Sequence, residues 1–286
     1  MRFYLDCIPC IMRYAVSTVR LATDNPEKQG NTIRQVLQEL AKIDYENYAP
    51  AVMRTIEKII KQECHCADPY KDMKKQFNQG MLELYPYLEK AVQESPNPFE
   101  QAIRYAASAN IIDFGIINNL TLELAKKTLA ENARMPLRFN TAEELAEDVQ
   151  KAQKILYLAD NSGEIVVDKL LLSRLPREKI TFAVKGSPIC NDATMEDAEM
   201  AGITKLVRVI DTGYALPGTI PEFCSPEFQQ EFAEADLVIA KGQGNFETLS
   251  ELKNKKIYFI FKAKCNVVTS YLNCDLNDII LKKSSV

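Results

Sequence analysis

A chain of 286 residues with 47% apolar and 26% charged side chains has ordinary globular composition and is long enough for one large domain or two modest ones. Its 35 basic and 39 acidic side chains leave a net charge of −4 and a pI near 5.4. No basic field draws nucleic acid or acidic lipid, and a small molecule or a protein is the expected partner. No run approaches the roughly 18 to 20 apolar residues that span a bilayer, and no basic-then-apolar leader opens the chain, which points to the cytoplasm.

From Cys7 to about Lys151 apolar residues recur at three-and-four spacing, as in Ile33, Val36, Leu37 and Leu40, or Val52, Ile56, Ile59 and Ile60. Helices are therefore expected, broken at Asn25-Pro26, Ala49-Pro50, Asp68-Pro69, Ser95-Pro96-Asn97-Pro98 and Met135-Pro136. Cys7-x-x-Cys10 precedes one helix and Cys64-His65-Cys66 ends another. The four cysteines would make a closed zinc site, and Cys7 with Cys10 a redox pair. Reduced thiols packed as small apolar groups are the plainer alternative. His65 is the single histidine, so His-x-x-x-His metal sites are absent and chemistry falls to carboxylates, lysines, amides or a metal. Asn110 and Asp113 stand three apart, on one face if their helix persists.

After Lys151 short apolar runs end in turn residues: Ile155–Ala159, Ile180–Val184, Leu206–Val209, Leu237–Ala240 and Ile257–Phe261 read as strands. Helices are expected between them at Ile165–Arg174, Asp192–Ala201, Phe246–Leu252 and Asn266–Tyr271. Seven of the ten glycines crowd into Gly163 to Gly244, which marks the same change of character. The expectation is a helical region over 1–150 and a doubly wound α/β layer over 151–286, with the tail Lys282-Lys283-Ser284-Ser285 frayed.

Ligands of such sheets sit beyond the carboxyl ends of the strands. There Asp160 and Asn161 offer two hard oxygen donors, Gly163 a sharp turn and Glu164 a helix start. Asp192 is either a third oxygen ligand or a helix cap. Three such donors suit magnesium or manganese. In Lys241-Gly242-Gln243-Gly244-Asn245-Phe246 two glycines expose amides at a helix start beside a lysine, a fit for phosphate that matches neither the dinucleotide fingerprint nor the Walker loop. Lys262 and Lys264 close the last strong strand, one facing the cleft and one away.

These motifs resemble the metal-dependent damage-control phosphatase family, long catalogued as domain of unknown function 89. They are Asp160-Asn161-x-Gly-Glu164, Asn191-Asp192-Ala-Thr194, Lys241-Gly-x-Gly-Asn245-Phe and Ala263-Lys264-Cys265. Cys7-Ile-Pro-Cys10, Asp68-Pro69-Tyr70-Lys71 and Asn110-Ile-Ile-Asp113-Phe-Gly115 are similar to its prokaryotic branch. The resemblance implies a three-layer α/β/α domain with a helical N-terminal region wrapped against it. It implies Asp160, Asn161 and Asp192 as metal ligands, with Asp160, Asp192 and Glu164 in the catalytic set. Substrate contacts would come from Asn110, Asp113, Lys241, Gly242, Gly244, Asn245 and Lys264. Hydrolysis of phosphate monoesters of small metabolites, supported by manganese, cobalt, nickel or magnesium, follows from it. In eukaryotic relatives the glutamate stands one residue further from the Asp-Asn pair. A carboxyl methyltransferase using S-adenosylmethionine and a non-catalytic binder of phosphorylated metabolites are the competing readings.

Overall fold

The computed structural model describes residues 1–109 and 122–284. The chain opens with α1 (Cys7–Ala22), α2 (Pro26–Leu40), α3 (Ala49–Cys64), α4 (Lys71–Gln93), α5 (Pro98–Ser108) and α6 (Leu122–Asn132). A two-residue strand β1 (Leu137–Arg138) and α7 (Ala142–Lys151) follow. Then come β2 (Ile155–Leu158), α8 (Glu164–Leu172), β3 (Ile180–Val184), α9 (Met195–Ala201), β4 (Arg208–Asp211) and α10 (Pro226–Glu234). The chain finishes with β5 (Leu237–Lys241), α11 (Gly242–Leu249), β6 (Ile257–Lys262), α12 (Asn266–Leu272) and β7 (Ile279–Lys283).

Helix starts obey capping chemistry. Asn25 Oδ1 accepts from the amides of Glu27 and Lys28 ahead of Pro26, and Asn97 Oδ1 accepts from that of Glu100 ahead of Pro98. At α9 the Asp197 carboxylate accepts from both the amide and the hydroxyl of Thr194, so the helix starts at Met195 rather than Asp192.

Among the described residues seven strands lie in the order β1-β7-β6-β5-β2-β3-β4. Pairs from β6 through β4 are parallel, whereas β7 runs antiparallel to β6, from Tyr258 opposite Lys283 to Lys262 opposite Ile279. The C-terminal tail is therefore not frayed up to Ser284. Lys282 and Lys283 complete β7, and Ser284 donates its amide to the Ile257 carbonyl at 2.7 Å.

Strand alternation sorts the core into two layers. Ile155, Tyr157, Phe182, Leu237, Ile239, Tyr258 and Ile260 pack under α4, α5 and α8. Leu156, Leu158, Val238, Ala240, Phe259 and Phe261 face Phe228, Phe246, Leu249 and Val268 of α10 to α12. Every residue of β2, β5 and β6 is buried, the pattern of strands covered on both sides. Each large apolar side chain sealed there contributes about 1.5–3 kcal/mol. Helices α1 to α3 have a core of their own around Ile11, Val19, Val36, Ile56 and Ile60.

The order of strands also locates a crevice. From β2 the chain moves outward through β3 and β4, then returns to place β5 on the opposite side of β2. Helix α8 leaves β2 toward one face and α11 leaves β5 toward the other. Between those two carboxyl ends lies the topological switch point, where open α/β sheets bind ligands.

Candidate active site

Two loops meet at this crevice. The loop after β2 and the loop after β3 run antiparallel, with Asn161 bridged to Asp192, the Ala193 amide donating to the Asp160 carbonyl at 2.8 Å, and the Ser162 amide to the Asn191 carbonyl at 2.9 Å. Asp160, Asn161 and Asp192 are thereby brought together. Gly163 closes the first loop at φ +73°, where an added Cβ would fall 2.5 Å from the Phe77 ring of α4. Next to Phe77, the fully buried Asn78 accepts from the Gly163 amide at 2.6 Å and donates to Asp197 Oδ1 at 2.8 Å, so one side chain braces both loops.

A second brace comes from α3. Glu57, 1% exposed, accepts from the Cys190 amide at 2.7 Å and from the Tyr14 hydroxyl, and it pairs with Lys61 at 2.8 Å. Lys61 donates in turn to the Pro188 carbonyl at 2.5 Å. The segment leading into Asp192 is thus held by a helix more than a hundred residues earlier in the chain.

The electrostatics are those of a desolvated acidic site. Burial, then the neighbouring charges of Glu164 and Asp192, push the Asp160 carboxyl well above the usual carboxylate range, against the pull of Lys264 and Lys185. Burial likewise raises Asp192 to about 7 although Lys185 lies 3.6 Å away. The Lys185 ammonium donates to the Gly218 carbonyl at 2.5 Å, and Asp192 Oδ2 is buried without a hydrogen-bond partner among the described residues. Gly242, at φ +79°, opens α11 directly against Asp160; a Cβ there would sit 2.0 Å from Oδ2. Only glycine lets the carboxylate lie against that helix start.

The remaining expected residues divide. Lys264 is exposed, its amide donates to Gln243 Oε1 at 3.0 Å, and its charge acts on Asp160. Lys262, its expected counterpart, is 7% exposed. Gly244 packs against Gly218 and Pro217. Asn245 is fully buried, donating to the carbonyls of Lys241 at 2.7 Å and Ala159 at 3.3 Å and accepting from Thr219. Lys241 is also fully buried: its ammonium donates to Glu164 at 2.7 Å, Asp168 at 2.5 Å and the Ala106 carbonyl at 3.0 Å. With all three hydrogens committed, Lys241 has no donor for a phosphate, contrary to the expectation from its place beside the glycines. Asn110 and Asp113 lie outside the described residues.

A divalent cation fits the donor set. Among the described residues Asp160, Glu164, Asp168 and Asp192 are all buried, with Lys185 beside Asp192 and Lys241 paired with Glu164 and Asp168. Two carboxylates and an amide supply hard oxygens, and the orphaned Asp192 Oδ2 is a ready ligand atom. The zinc site considered at Cys7, Cys10, Cys64 and Cys66 is not formed. Among the described residues no three His, Cys, Asp or Glu side chains are arranged to hold a metal, and all four thiols are free. Cys64 is buried beside Thr32 Oγ1 at 3.8 Å, and partial burial pushes the Cys7 thiol up, away from the thiolate zinc requires.

Asp168, Lys185, Asn78 and Glu57 were given no role from sequence. The first stands one helical turn after Glu164, and the second directly follows β3, so both left a local signal. Asn78 and Glu57 lie on distant helices in no motif.

A doubly wound α/β protein with an oxygen-rich, cation-fitting cluster at its switch point is the class that fold and site define. Residues 3–280 match the damage-control phosphatase ARMT1-like domain, and the chain belongs to that family. It is 35% identical to an uncharacterized protein of Methanocaldococcus jannaschii, over 97% of this chain and 94% of that one. A damage-control phosphatase of Pyrococcus horikoshii is 31% identical over 95% and 94%, and one of Archaeoglobus fulgidus 30% over 96% and 97%. The crystal structure of a DUF89 family protein from Pyrococcus horikoshii superposes with a TM-score of 0.90 at 29% identity, covering 100% of both chains. Among the described residues no helix is long and apolar enough to cross a membrane.

Proposed function

We propose that this chain is a cytoplasmic, metal-dependent phosphatase that hydrolyses phosphate monoesters of small metabolites, with manganese, cobalt, nickel or magnesium held by Asp160, Asn161 and Asp192. The observation that carries this reading is the junction of the two loops, which gathers three hard oxygen donors, two of them buried carboxylates. Its phosphatase relatives agree with it.

A divalent cation bound there supplies electrophilic neutralisation of the phosphoryl charge. The chain's own groups do the rest. Lys264 holds a phosphate oxygen from the solvent side. The first amides of α11, at Gln243 and Gly244, face anionic charge with the helix dipole behind them. A carboxylate oxygen of Asp160 or Asp192 positions the attacking water. Glu164, 1% exposed and bonded to Lys241 and Asn161, orients this set from beneath.

The test is release of para-nitrophenol from its phosphate ester with and without added Mn²⁺, and after EDTA. Metal-dependent release, lost on chelation and restored by Mn²⁺, is expected. Asp192→Asn should abolish turnover while circular dichroism stays unchanged. Chelation-resistant release, or an active Asp192→Asn variant, would refute the assignment. Tight binding of phosphorylated metabolites without turnover would favour a binding protein.

A further inference from the structure

The buried position of Lys241 calls for a role other than phosphate contact. Along β5, Leu237 and Ile239 point into the layer of α5 and α8, and the two-residue period sends Lys241 the same way. Glu164 and Asp168, four apart on α8, converge on its ammonium. The ion cluster then continues outward: Glu164 Oε1 accepts from Lys241 at 2.7 Å, while Oε2 accepts from Asn161 Nδ2 at 3.2 Å. The same amide nitrogen also donates to Asp160 Oδ2 at 2.8 Å.

An asparagine amide is read from its network, because its oxygen and nitrogen differ only in what they bond. Both hydrogens of Asn161 Nδ2 are committed to carboxylates, so Oδ1 is the atom left to serve as an oxygen ligand. We infer that Lys241 is a positioning residue for the metal. By holding Glu164 Oε1 in place, it keeps Oε2 aimed at Asn161 Nδ2, which sets the Asn161 amide with Oδ1 as the ligand atom. This rests on the reading of Asp160, Asn161 and Asp192 as the cation site. Without the ammonium, Glu164 loses the anchor that aims Oε2 at Asn161 Nδ2. With that acceptor displaced, the Asn161 amide can turn, and an N–H group then stands where a cation needs oxygen.

The experiment measures Mn²⁺ binding to the metal-free full chain by electron paramagnetic resonance of the free ion, independently of turnover. Compared are wild type, Lys241→Met, Glu164→Gln and the double variant, with inhibition by inorganic phosphate measured at saturating Mn²⁺. Glu164→Gln keeps an acceptor for Lys241 but offers N–H to Asn161, at unchanged volume. Each single variant is expected to weaken Mn²⁺ binding about 10- to 100-fold, the usual effect of removing a partner that orients a ligand. The double variant should be no weaker than the worse single one, since both act through Asn161. Phosphate inhibition should persist once the metal is saturating.

Wild-type Mn²⁺ affinity in Glu164→Gln overturns the inference, even where Lys241→Met does not fold. So does wild-type affinity in Lys241→Met with loss of phosphate inhibition, which would make Lys241 a direct phosphate contact. Additive losses in the double variant overturn it too. A wild-type chain that binds no Mn²⁺ instead refutes the cation site itself.

Discussion

Replacing Gly242 by alanine isolates the closest approach in the site. The new Cβ would stand 2.0 Å from Asp160 Oδ2, 2.1 Å from Cγ and 2.5 Å from Oδ1, at a backbone φ of +79°. The left-handed conformation costs a non-glycine residue about 1–2 kcal/mol. Overpacking a buried site adds about 1–3 kcal/mol. Rotating Asp160 to relieve the clash breaks its hydrogen bond from Asn161 at 2.8 Å. Gly202 provides the control, since it has φ +75° with nothing within 4 Å of its added Cβ. Gly202→Ala therefore carries the backbone cost alone, and the difference between the two variants measures the clash. Thermal unfolding followed by circular dichroism should place Gly242→Ala several degrees below Gly202→Ala, at about 2–4 °C per kcal/mol for a chain near this size. Mn²⁺ affinity should fall at least about tenfold in Gly242→Ala and stay at the wild-type value in Gly202→Ala. Equal stability losses and equal Mn²⁺ affinities in the two variants would refute the close packing of Asp160 on α11.

Other consequences can be checked separately. Asn78→Ala strands the Gly163 amide and Asp197 Oδ1 in the interior, at about 1–3 kcal/mol per unsatisfied group. Urea unfolding should show this loss together with weaker Mn²⁺ binding, and stability equal to wild type would remove Asn78 as a brace. At the opposite end of the sheet, burial pushes the Asp148 carboxyl up, but bonds from Lys256, Tyr258 and Lys283 outweigh it and hold the group well below the usual range. That depressed value means its stabilisation is present above the unfolded value of about 4 and is lost as the pH falls toward the folded one. Asp148→Asn should cost about 2 kcal/mol at neutral pH, with the gap to wild type narrowing in urea titrations at pH 3. A gap independent of pH would refute the sign.

Much of the fold is legible because β2, β3, β5 and β6 are continuous apolar runs that end in polar turns. Residues Ile180–Val184 form β3 as their pattern predicts. Strand β4 lies two residues later than predicted because Leu206 follows a short 3-10 turn and packs on the core instead of pairing. Helix α11 begins at Gly242, not Phe246, since a glycine that favours turns in isolation is required at 242 by the proximity of Asp160. Strand β7 was hidden by its ending in two lysines, although Ile279, Ile280 and Leu281 are fully buried.

At the site, Asp160, Asn161 and Asp192 could be read because strand ends announce themselves in sequence. The inward turn of Lys241 could not, since its face depends on strand register against α8. Nor could Asn78 and Glu57, whose partners are backbone amides 85 and 133 residues away.

The Glu57 staple has a thermodynamic corollary. Since α3 grips the segment that ends at Asp192, occupancy of the proposed cation site and the docking of α1 to α3 would be reciprocal quantities. Whatever affinity the docked helices lend a cation there, the cation would return as adhesion of those helices to the sheet.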